Sequence, residues 1–498
     1  MSLQVNLTAP NKREITLPTG LFINNEFVAA TGGGKISSIN PADEKEIAVV
    51  EAASATDVDK AVKAARAALD GEWSTMAASD RGRLMYRLAD LIEENRETLA
   101  TLETWDNGKP YQVSLNEDLG EVVFTLRYYA GWADKIFGQT IPLTSQKMAY
   151  TLKQPVGVCG QIIPWNYPLS MAAWKLGPAL ACGNTVIIKP AEQTPLSILY
   201  LASLIPKVGF PPGVINIVNG YGRVSGTALV EHPDVDKIAF TGSTLTGKTI
   251  MKLASATMKN ITLETGGKSP LLVFKDADLD QAAKWAHGGI MSNQGQICTA
   301  TSRLLVHQDV IDDFVARFTG EISKHKIGDP FSDDTFQGPQ ITSDQYKRIL
   351  DYIETGKKAG ATLVTGGNPH KNVGGKGFFI EPTTFVDVTK DMAIFQEEVF
   401  GPFVTITRFK DDADAVRLAN NSSYGLGSAI FTKDIERAHR VAARLEAGMV
   451  WINSSNDSDP RVPFGGVKQS GIGRELGEAG LEAYTQTKAV HVNLGQML

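Results

Sequence analysis

The chain has 498 residues, of which 43% are hydrophobic and 21% are charged. These values lie near the averages of globular proteins and exclude a disordered, collagen-like or coiled-coil chain. Lys and Arg total 49 against 55 for Asp and Glu, so the net charge is −6, which gives no electrostatic reason to bind nucleic acid or an anionic membrane. At roughly 150 residues per domain we expect two to four domains, acting on a small molecule.

The cysteines indicate a reducing compartment. Cys159, Cys182 and Cys298 form no CxxC pair and are too few for a disulfide framework. Segment 1–17 lacks the apolar core of a secretory signal and the Arg-rich bias of a transit peptide. No run reaches the roughly 18 apolar residues of a membrane span. We therefore expect a cytoplasmic protein with no membrane or nucleic-acid partner.

The first third of the chain has the periodicity of amphipathic helices. Thr56 is predicted to cap a helix whose apolar residues, from Val58 to Leu69, recur every three or four positions. A second, longer helix is predicted from Asp80 to about Leu102. Both are interpreted as scaffold.

Short β-rich runs alternate with segments of helical length from residue 156 onward. The predicted strands are Val156–Ile163, Thr185–Ile188, Val214–Val218, Lys237–Phe240 and Ile261–Leu263. The predicted helices between them are Leu169–Ala181, Ser197–Val208, Val224–Glu231 and Thr246–Ser255. This alternation predicts βαβ units in a parallel, doubly wound sheet that binds a nucleotide at its carboxyl edge.

A second alternating block follows Gly267 and predicts a second α/β domain. Its predicted strands are Leu271–Phe274, Leu304–His307, Val404–Arg408, Gly427–Phe431 and Met449–Ile452, and its predicted helices are Val310–Ser323, Ser343–Ala359 and Ile435–Leu445. The extended segments 139–154 and 489–494 fit neither block. We interpret them as strands of an oligomerisation arm, because outlying strands pair with each other or with another subunit.

Polar residues follow several of the predicted strands. Asn166 comes after the first strand of the doubly wound block and suits either a helix cap or a functional amide. Lys189 and Glu192 follow the second strand, where an acidic residue can accept hydrogen bonds from a ribose diol, although plain surface charge is the alternative. Segment 240–247 joins a strand to a helix and suits an anion, but it matches neither G-x-G-x-x-G nor a Walker loop.

Cys298 is the most distinctive candidate for chemistry. Its neighbours, Asn293 to Thr299, are mostly polar or Gly, which indicates a loop with an accessible thiol. The other two cysteines are interpreted as inert and buried. None of the seven histidines lies in a recognisable motif, so Glu264, at a strand end before two glycines, is the candidate base.

Seven motifs in chain order resemble those of the NAD(P)-dependent aldehyde dehydrogenase superfamily, over residues 21–495. They are PWNYP, KPAEQTP, FTGS, LETGGKSP, NQGQIC, EEVFGP and PFGGVKQSG. The resemblance implies two doubly wound α/β domains, one Rossmann-like for the cofactor and one catalytic, with a small β oligomerisation arm. The implied division is 1–138 and 156–266 for the NAD-binding domain, 267–480 for the catalytic domain, and 139–155 with 481–498 for the arm. It also implies a homotetramer built as a dimer of dimers.

The resemblance further implies covalent oxidation of an aldehyde to an acid. Cys298 would attack the carbonyl carbon, and the Asn166 amide with the Cys298 backbone N–H would hold the oxyanion of the thiohemiacetal. After hydride transfer to NAD, Glu264 would act as base in hydrolysing the thioester. Lys175 and Glu475 match positions linked to a proton path, although a buried ion pair explains them equally well.

The resemblance also assigns the binding residues, without a metal site. The cofactor residues are Ile163, Pro164, Trp165, Lys189, Glu192, Gly242, Ser243, Glu398 and Phe400. Glu192 would repel a 2′-phosphate, so NAD is expected over NADP. The substrate residues are Asp118, Glu121, Tyr167, Trp174, Ser292, Ser458 and Phe464.

The tunnel positions leave the substrate class open. Gly288, Ser292 and Ser458 stand where relatives selective for small aldehydes have aromatic residues, which predicts a roomier and more polar pocket for medium-to-large aldehydes. Glu121 stands where aminoaldehyde and betaine-aldehyde dehydrogenases place an acid, so a cationic substrate is the alternative. A non-redox cysteine acyl hydrolase and a structural, crystallin-like protein are the alternatives of other classes. Thr265 replaces a Leu that is common after the base.

Overall fold

Two twisted sheets of mainly parallel strands form the framework of the protein. The computed structural model describes residues 3–371 and 373–497. The first elements are β1 (Gln4–Thr8), β2 (Glu14–Pro18), β3 (Leu21–Ile23), β4 (Glu26–Val28), β5 (Lys35–Ile39), β6 (Glu46–Glu51), α1 (Ala55–Asp70), α2 (Glu72–Thr75), α3 (Ala78–Glu94), α4 (Arg96–Asn107), α5 (Tyr111–Val113) and, after a π-helical turn, α6 (Leu119–Ala130). They are followed by β7 (Thr140–Thr144), β8 (Lys147–Pro155), β9 (Val158–Ile162), α7 (Pro168–Ala181), β10 (Thr185–Lys189), α8 (Leu196–Val208), β11 (Ile215–Ile217), α9 (Thr227–Glu231), β12 (Lys237–Thr241), α10 (Thr244–Ala254) and β13 (Asn260–Glu264).

The remaining elements complete the chain. They are β14 (Pro270–Val273), α11 (Leu279–Met291), β15 (Arg303–His307), α12 (Ile311–Ile322), β16 (Lys326–Ile327), β17 (Thr335–Gln337), α13 (Ser343–Lys358), β18 (Thr362–Thr365), β19 (Thr383–Val386), α14 (Ala393–Gln396), β20 (Phe403–Phe409), α15 (Asp412–Asn420), β21 (Tyr424–Gly425), β22 (Gly427–Phe431), α16 (Ile435–Ala442), β23 (Met449–Ile452), β24 (Val467–Lys468), β25 (Gly471–Ile472), α17 (Gly477–Glu482) and β26 (Thr485–Asn493). None of the helices in the described ranges is long and apolar enough to cross a bilayer.

The first large sheet has eight strands in the order β25-β13-β12-β9-β10-β11-β3-β4. The five strands from β13 to β11 are parallel. Alternate side chains of each strand point to opposite faces, so Val158 packs against α1 while Cys159 packs against α7 and α8. Strand β9 lies between β10 and β12, and this reversal of strand order creates a crevice at the carboxyl ends where open α/β sheets bind ligands.

The second large sheet has the order β18-β19-β20-β15-β14-β22-β23. Only β18, at one edge, runs antiparallel to its neighbour. Helices cover both faces: α11 and α12 pack on one side, and α13 and α15 pack on the other. The predicted doubly wound α/β class is therefore confirmed for both halves.

The end of the chain returns to elements formed much earlier. Strand β25 pairs antiparallel with β13, so that Gly471 faces Glu264. Strand β26 pairs along its whole length with β8, from Thr485 opposite Pro155 to Asn493 opposite Lys147. With β7 they form a three-stranded antiparallel sheet. The two outlying extended segments thus pair with each other.

Two predictions about the helices were wrong. The long helix predicted from Asp80 to Leu102 is two helices, α3 and α4, because Asn95 leaves the helical conformation (ψ 14°) and its side-chain amide donates to the Leu91 carbonyl. The cap of α1 is Ser54 and not Thr56. Ser54 and Asp57 form a reciprocal capping box.

Candidate active site

A cavity of about 790 Å³ draws its lining from both halves of the fold. Residues after β9, β12 and β13 line one side, and residues after α11 and α14 line the other. The cavity contains every candidate residue named from the sequence except Ile163, Lys175, Lys189 and Glu192. The candidates that line it are Asp118, Glu121, Pro164, Trp165, Asn166, Tyr167, Trp174, Gly242, Ser243, Glu264, Ser292, Cys298, Glu398, Phe400, Ser458, Phe464 and Glu475.

Cys298 lies in a turn between α11 and β15, as the loop prediction required. Two consecutive residues before it, Asn293 and Gln294, have left-handed backbones (φ 47° and 58°), which are uncommon for residues with side chains and occur at functional sites. Burial and the nearby carboxyls of Glu264 and Glu398 raise the pKa of the Cys298 thiol to about 12. The backbone N–H groups of residues 298 and 299 partly offset this rise. The thiol therefore needs a base before it can attack.

Glu264 ends β13 and is buried. Neither oxygen of its carboxyl group accepts a hydrogen bond of ordinary geometry within the described chain. Burial raises its pKa well above the usual range, Glu475 raises it further, and Lys175 opposes the rise. The next residue, Thr265, donates from its hydroxyl to the Gln469 carbonyl (2.7 Å), so the strand end that carries Glu264 is fixed to the chain next to β25.

Lys175 and Glu475 form a buried ion pair beside this carboxyl. The Lys175 ammonium donates to Glu475 Oε1 (2.7 Å) and to the Thr241 hydroxyl (2.6 Å). The second oxygen of Glu475 has no hydrogen-bond partner among the described residues, and Glu475 lines the cavity. The pair thus links the cavity, which Glu475 lines, to Lys175 on the buried helix α7.

Asn166 lies against the loop that carries Cys298. Its side-chain amide donates to the Gln296 carbonyl (2.9 Å). Because an amide nitrogen carries two hydrogens, a second donor is left for the cavity. The side chain makes no capping bond to α7, which argues against the helix-cap alternative, and the functional amide stays a prediction.

A second group of residues suits a dinucleotide. Ser243 caps α10 by accepting from the Thr246 backbone N–H, which leaves earlier amides of the first turn free for an anion. Glu398 Oε1 accepts from the Gly267 N–H (2.9 Å), and burial raises its pKa to about 7. The Trp165 and Phe400 rings meet edge to face, 5.4 Å apart.

Ile163, Lys189 and Glu192 lie outside this cavity. Ile163 is buried, and its backbone N–H bonds to the Lys189 carbonyl, which links the ends of β9 and β10. Lys189 Nζ lies 3.4 Å from Glu192 Oε2. The charged pair therefore sits at the strand end next to the switch point.

Sequence reasoning missed two polar residues of α13. Gln345 donates to the carbonyls of Val399 and Phe400, and Arg348 donates to the Glu398 carbonyl. These bonds hold Phe400 in a left-handed backbone conformation (φ 62°). Their spacing of three places both side chains on one helix face, which was the available signal.

The substrate side of the cavity is more aromatic than the sequence predicted. Trp174 and Phe464 meet edge to face, 4.8 Å apart, and Tyr167 lies beside them. Phe124, Trp285 and Met171 complete this lining and were not predicted. Gly288 faces open space, because no atom other than those of its chain neighbours and of its own helix backbone lies within 4 Å of the point that a Cβ atom would occupy there. The pocket is thus roomy, as expected, but its walls are largely apolar.

The two acidic residues predicted for the substrate side of the cavity differ in their surroundings. Asp118 is buried and paired with Lys109 (2.5 Å), so its charge is already compensated. Glu121 Oε1 accepts from the Trp174 indole N–H (3.1 Å), and burial raises its pKa to about 7. Of these two predicted residues, Glu121 is therefore the one without a cationic partner; Glu117, which was not predicted, also lines the cavity.

Comparisons with known proteins agree with this geometry. The sequence profile of the aldehyde dehydrogenase family matches residues 27–490. The chain belongs to the aldehyde dehydrogenase family. An aldehyde dehydrogenase of Emericella nidulans is 55% identical, over 97% of this chain and 96% of the relative. Aldehyde dehydrogenase 1A1 of Oryctolagus cuniculus is 53% identical, over 96% of each chain.

Solved structures of the family superimpose closely on the fold. The NAD+ complex of an aldehyde dehydrogenase from Bacillus cereus is 50% identical, with a TM-score of 0.94 over 96% of this chain and 97% of that one. A betaine aldehyde dehydrogenase from Staphylococcus aureus, also with NAD+, is 41% identical, with a TM-score of 0.95 over 97% and 99%. The family and enzyme class expected from the motifs are confirmed.

In this family member, the raised thiol pKa predicts how Cys298 reacts. Alkylation by iodoacetamide without cofactor should accelerate about tenfold per pH unit from about pH 7 to about pH 9, because the thiolate fraction is small throughout that range. The measurement is the loss of activity with time, with mass spectrometry of the labelled peptide. Cys298→Ala is the control and should take up no label, since Cys159 and Cys182 are buried. A plateau below about pH 8 would contradict the assigned environment of the thiol.

Proposed function

We propose that the protein oxidises aldehydes to carboxylic acids with NAD, by covalent catalysis at Cys298. The observation that carries the proposal is one cavity lined by a thiol, a buried carboxyl and an amide, namely Cys298, Glu264 and Asn166. Packing alone does not require these three groups in one cavity. A non-redox acyl hydrolase would need the thiol but not Glu398 and Ser243 in the same cavity.

The first half of the reaction uses the thiol and the amide. Glu264, when ionised, takes the proton of Cys298, and the thiolate attacks the aldehyde carbon to form a thiohemiacetal. The Asn166 amide and the Cys298 backbone N–H stabilise the negative oxygen that develops there. NAD, when bound, accepts the hydride released from this carbon.

Before the second half, Glu264 must lose the thiol proton, and Glu475, with Lys175 beside it, passes that proton toward solvent. Glu264 is then able to act as a base again. The acyl group is now a thioester on Cys298, and Glu264 takes a proton from the water that attacks it. The carboxylic acid leaves, and the thiol is restored. The proton that Glu264 takes from the water is the one that restores the Cys298 thiol. The second oxygen of Glu475, which has no hydrogen-bond partner in the described chain, suits it to the earlier relay of the thiol proton.

The residues present fit the dinucleotide. Free amides at the start of α10, with Ser243, suit its pyrophosphate. Lys189 and Glu192 suit the hydroxyls of the adenosine ribose, and Glu398 suits those of the second ribose. Glu192 would repel a 2′-phosphate, so we propose NAD over NADP. The solved relatives that carry NAD+ support this assignment.

Two substitutions test the mechanism. Cys298→Ala should abolish NADH formation with propanal while leaving NAD affinity unchanged, because the nucleophile acts only on the aldehyde. Glu264→Gln should slow acid release at least about 100-fold, because general-base catalysis contributes on that order. Steady-state NADH absorbance and calorimetric NAD binding are the measurements. Turnover at the wild-type rate in Cys298→Ala, or no NADH with any aldehyde in the wild type, would refute the proposal.

The proposed substrate is a medium-to-large, uncharged aldehyde. The apolar walls formed by Trp174, Phe464 and Trp285 suit a substrate with an apolar chain. The open space beside Gly288 gives room for a wide substrate group. A cationic aminoaldehyde is the second candidate, favoured by the single observation that the Glu121 carboxyl lines the cavity without a cationic partner.

A substrate panel separates the two candidates. Propanal, benzaldehyde, a long-chain aldehyde and 4-aminobutanal are compared by kcat/KM in the wild type, Gly288→Phe and Glu121→Gln. If the uncharged class is right, Gly288→Phe lowers kcat/KM for benzaldehyde at least about tenfold and spares propanal, since it fills open space. If the cationic class is right, Glu121→Gln lowers kcat/KM for 4-aminobutanal alone. In that case the wild-type preference for 4-aminobutanal increases as pH rises through about 7, where Glu121 ionises.

We also propose the domain division 1–138 with 156–266, 267–480, and 139–155 with 481–498, and a cytoplasmic homotetramer. The arm supports the assembly, because all five residues of β7 are exposed and its outer edge is unpaired within the described chain. Ile141, Leu143 and Leu152 add exposed apolar surface. The three free cysteines support a reducing compartment.

The double substitution Ile141→Asp with Leu143→Asp tests the assembly. It should convert the tetramer to smaller species in sedimentation velocity, because charge opposes burial of this edge. The control is Met258→Asp, at a fully exposed apolar residue outside the arm. A monomeric wild type, or a tetramer unaffected by the double substitution, would contradict the proposal.

A further inference from the structure

The end of α4 contacts the segment that carries Asn166. The side-chain amide of Asn107, the last residue of α4, donates to the Trp165 carbonyl (2.6 Å) and to the Asn166 carbonyl (3.4 Å). Asn107 is fully buried, and its Oδ1 accepts from the Lys109 backbone N–H (3.2 Å). This side chain lines no part of the cavity.

Two neighbours of Asn107 contact the same segment. The Lys109 ammonium lies 4.1 Å from the centre of the Tyr167 ring. Glu103, one turn earlier in α4, accepts from the Leu169 backbone N–H (3.2 Å). Residues 165, 166, 167 and 169 are therefore each contacted by α4 or by Lys109, which follows it.

The loop that carries Cys298 also contacts Asn166, through Asn293 and Gln296. Asn293 donates to both the Asn166 carbonyl and the Gln296 carbonyl, each at 3.2 Å. The Asn166 side chain donates to the same Gln296 carbonyl. Three side-chain amides thus connect α4, the end of β9 and the loop of Cys298 in one buried network.

We propose that Asn107 is a positioning residue that fixes the Asn166 amide relative to the Cys298 thiol. The inference rests on the proposed function, because it assumes that Asn166 stabilises the oxyanion. Preorganised donors contribute most when their position is fixed before the reaction, and a displacement of about 1 Å can cost about 100-fold in rate. Without Asn107, the Trp165 carbonyl loses its side-chain donor and the Asn166 carbonyl keeps only the Asn293 amide, so the backbone at residue 166 is held from one side and is free to shift.

A double-mutant cycle tests this coupling. Asn107→Leu keeps the branched shape and removes the donor. It should lower kcat/KM for propanal about tenfold in the wild-type background, but less than about twofold in the Asn166→Ala background, because interaction through a shared partner is non-additive. Ester hydrolysis of p-nitrophenyl acetate, which needs the oxyanion site but no dinucleotide, should show the same pattern. Alkylation of Cys298 by iodoacetamide forms no oxyanion and should be unchanged.

Asn216→Leu is the matched control. The Asn216 amide is also fully buried, donates to two backbone carbonyls (Val186 and Gly213) and accepts one backbone N–H, from Asn24. It lies in β11, away from Cys298. It should lower the thermal midpoint as much as Asn107→Leu does, without a comparable loss of kcat/KM.

Each outcome has a defined meaning. An equal loss in both backgrounds, no loss in either, or an equal loss in Asn216→Leu overturns the positioning role. Full activity of Asn166→Ala alone instead contradicts the proposed function. If Asn107→Leu does not fold, the smaller Asn107→Ala is taken through the same cycle. Failure of both to fold while Asn216→Leu folds would assign Asn107 to folding and overturn the inference.

Discussion

The burial of the Glu264 carboxyl group is the constraint on which the site depends. Glu264 is held in this state by β12 on one side and by β25 on the other. Burial favours its neutral form and raises its pKa, so between its unfolded and folded pKa values the native state loses stability as the pH rises. The surrounding sheet must offset that cost. The same cost makes Glu264 a stronger base than an exposed carboxylate, once it is ionised.

The cavity exists because the carboxyl ends of the first sheet meet loops of the second. Strands β9, β12 and β13 bring Asn166, Ser243 and Glu264 to one wall as a consequence of strand order alone. The second half supplies Cys298 and Glu398 from irregular segments, which require left-handed residues and several side-chain bonds to hold their shape. The order of the strands therefore fixes the residues of the first wall, and local hydrogen bonds fix those of the second.

This difference explains what the sequence could predict. Residues at strand ends, such as Glu264, were predictable because strand patterns place them at one edge. Cys298 was predictable because its polar neighbours exclude a core strand. The partners that hold these groups were not predictable: Lys109 compensates Asp118, and Gln345 supports Phe400, through contacts between elements far apart in the sequence. The break at Asn95 was missed for a related reason, since the apolar period continues across it.

The late return of the chain to its earliest sheets has a consequence for synthesis. Strand β13 gains its outer neighbour only from residues 471–472, and β8 gains its long partner only from residues 485–493. Most of the polypeptide is therefore synthesised before β25 can pair with β13 beside Glu264. Contacts of such high sequence separation form slowly and leave unpaired edges exposed meanwhile. Until the C-terminal segment emerges, β13 and β8 each present an unpaired edge at which a nascent chain is prone to aggregate.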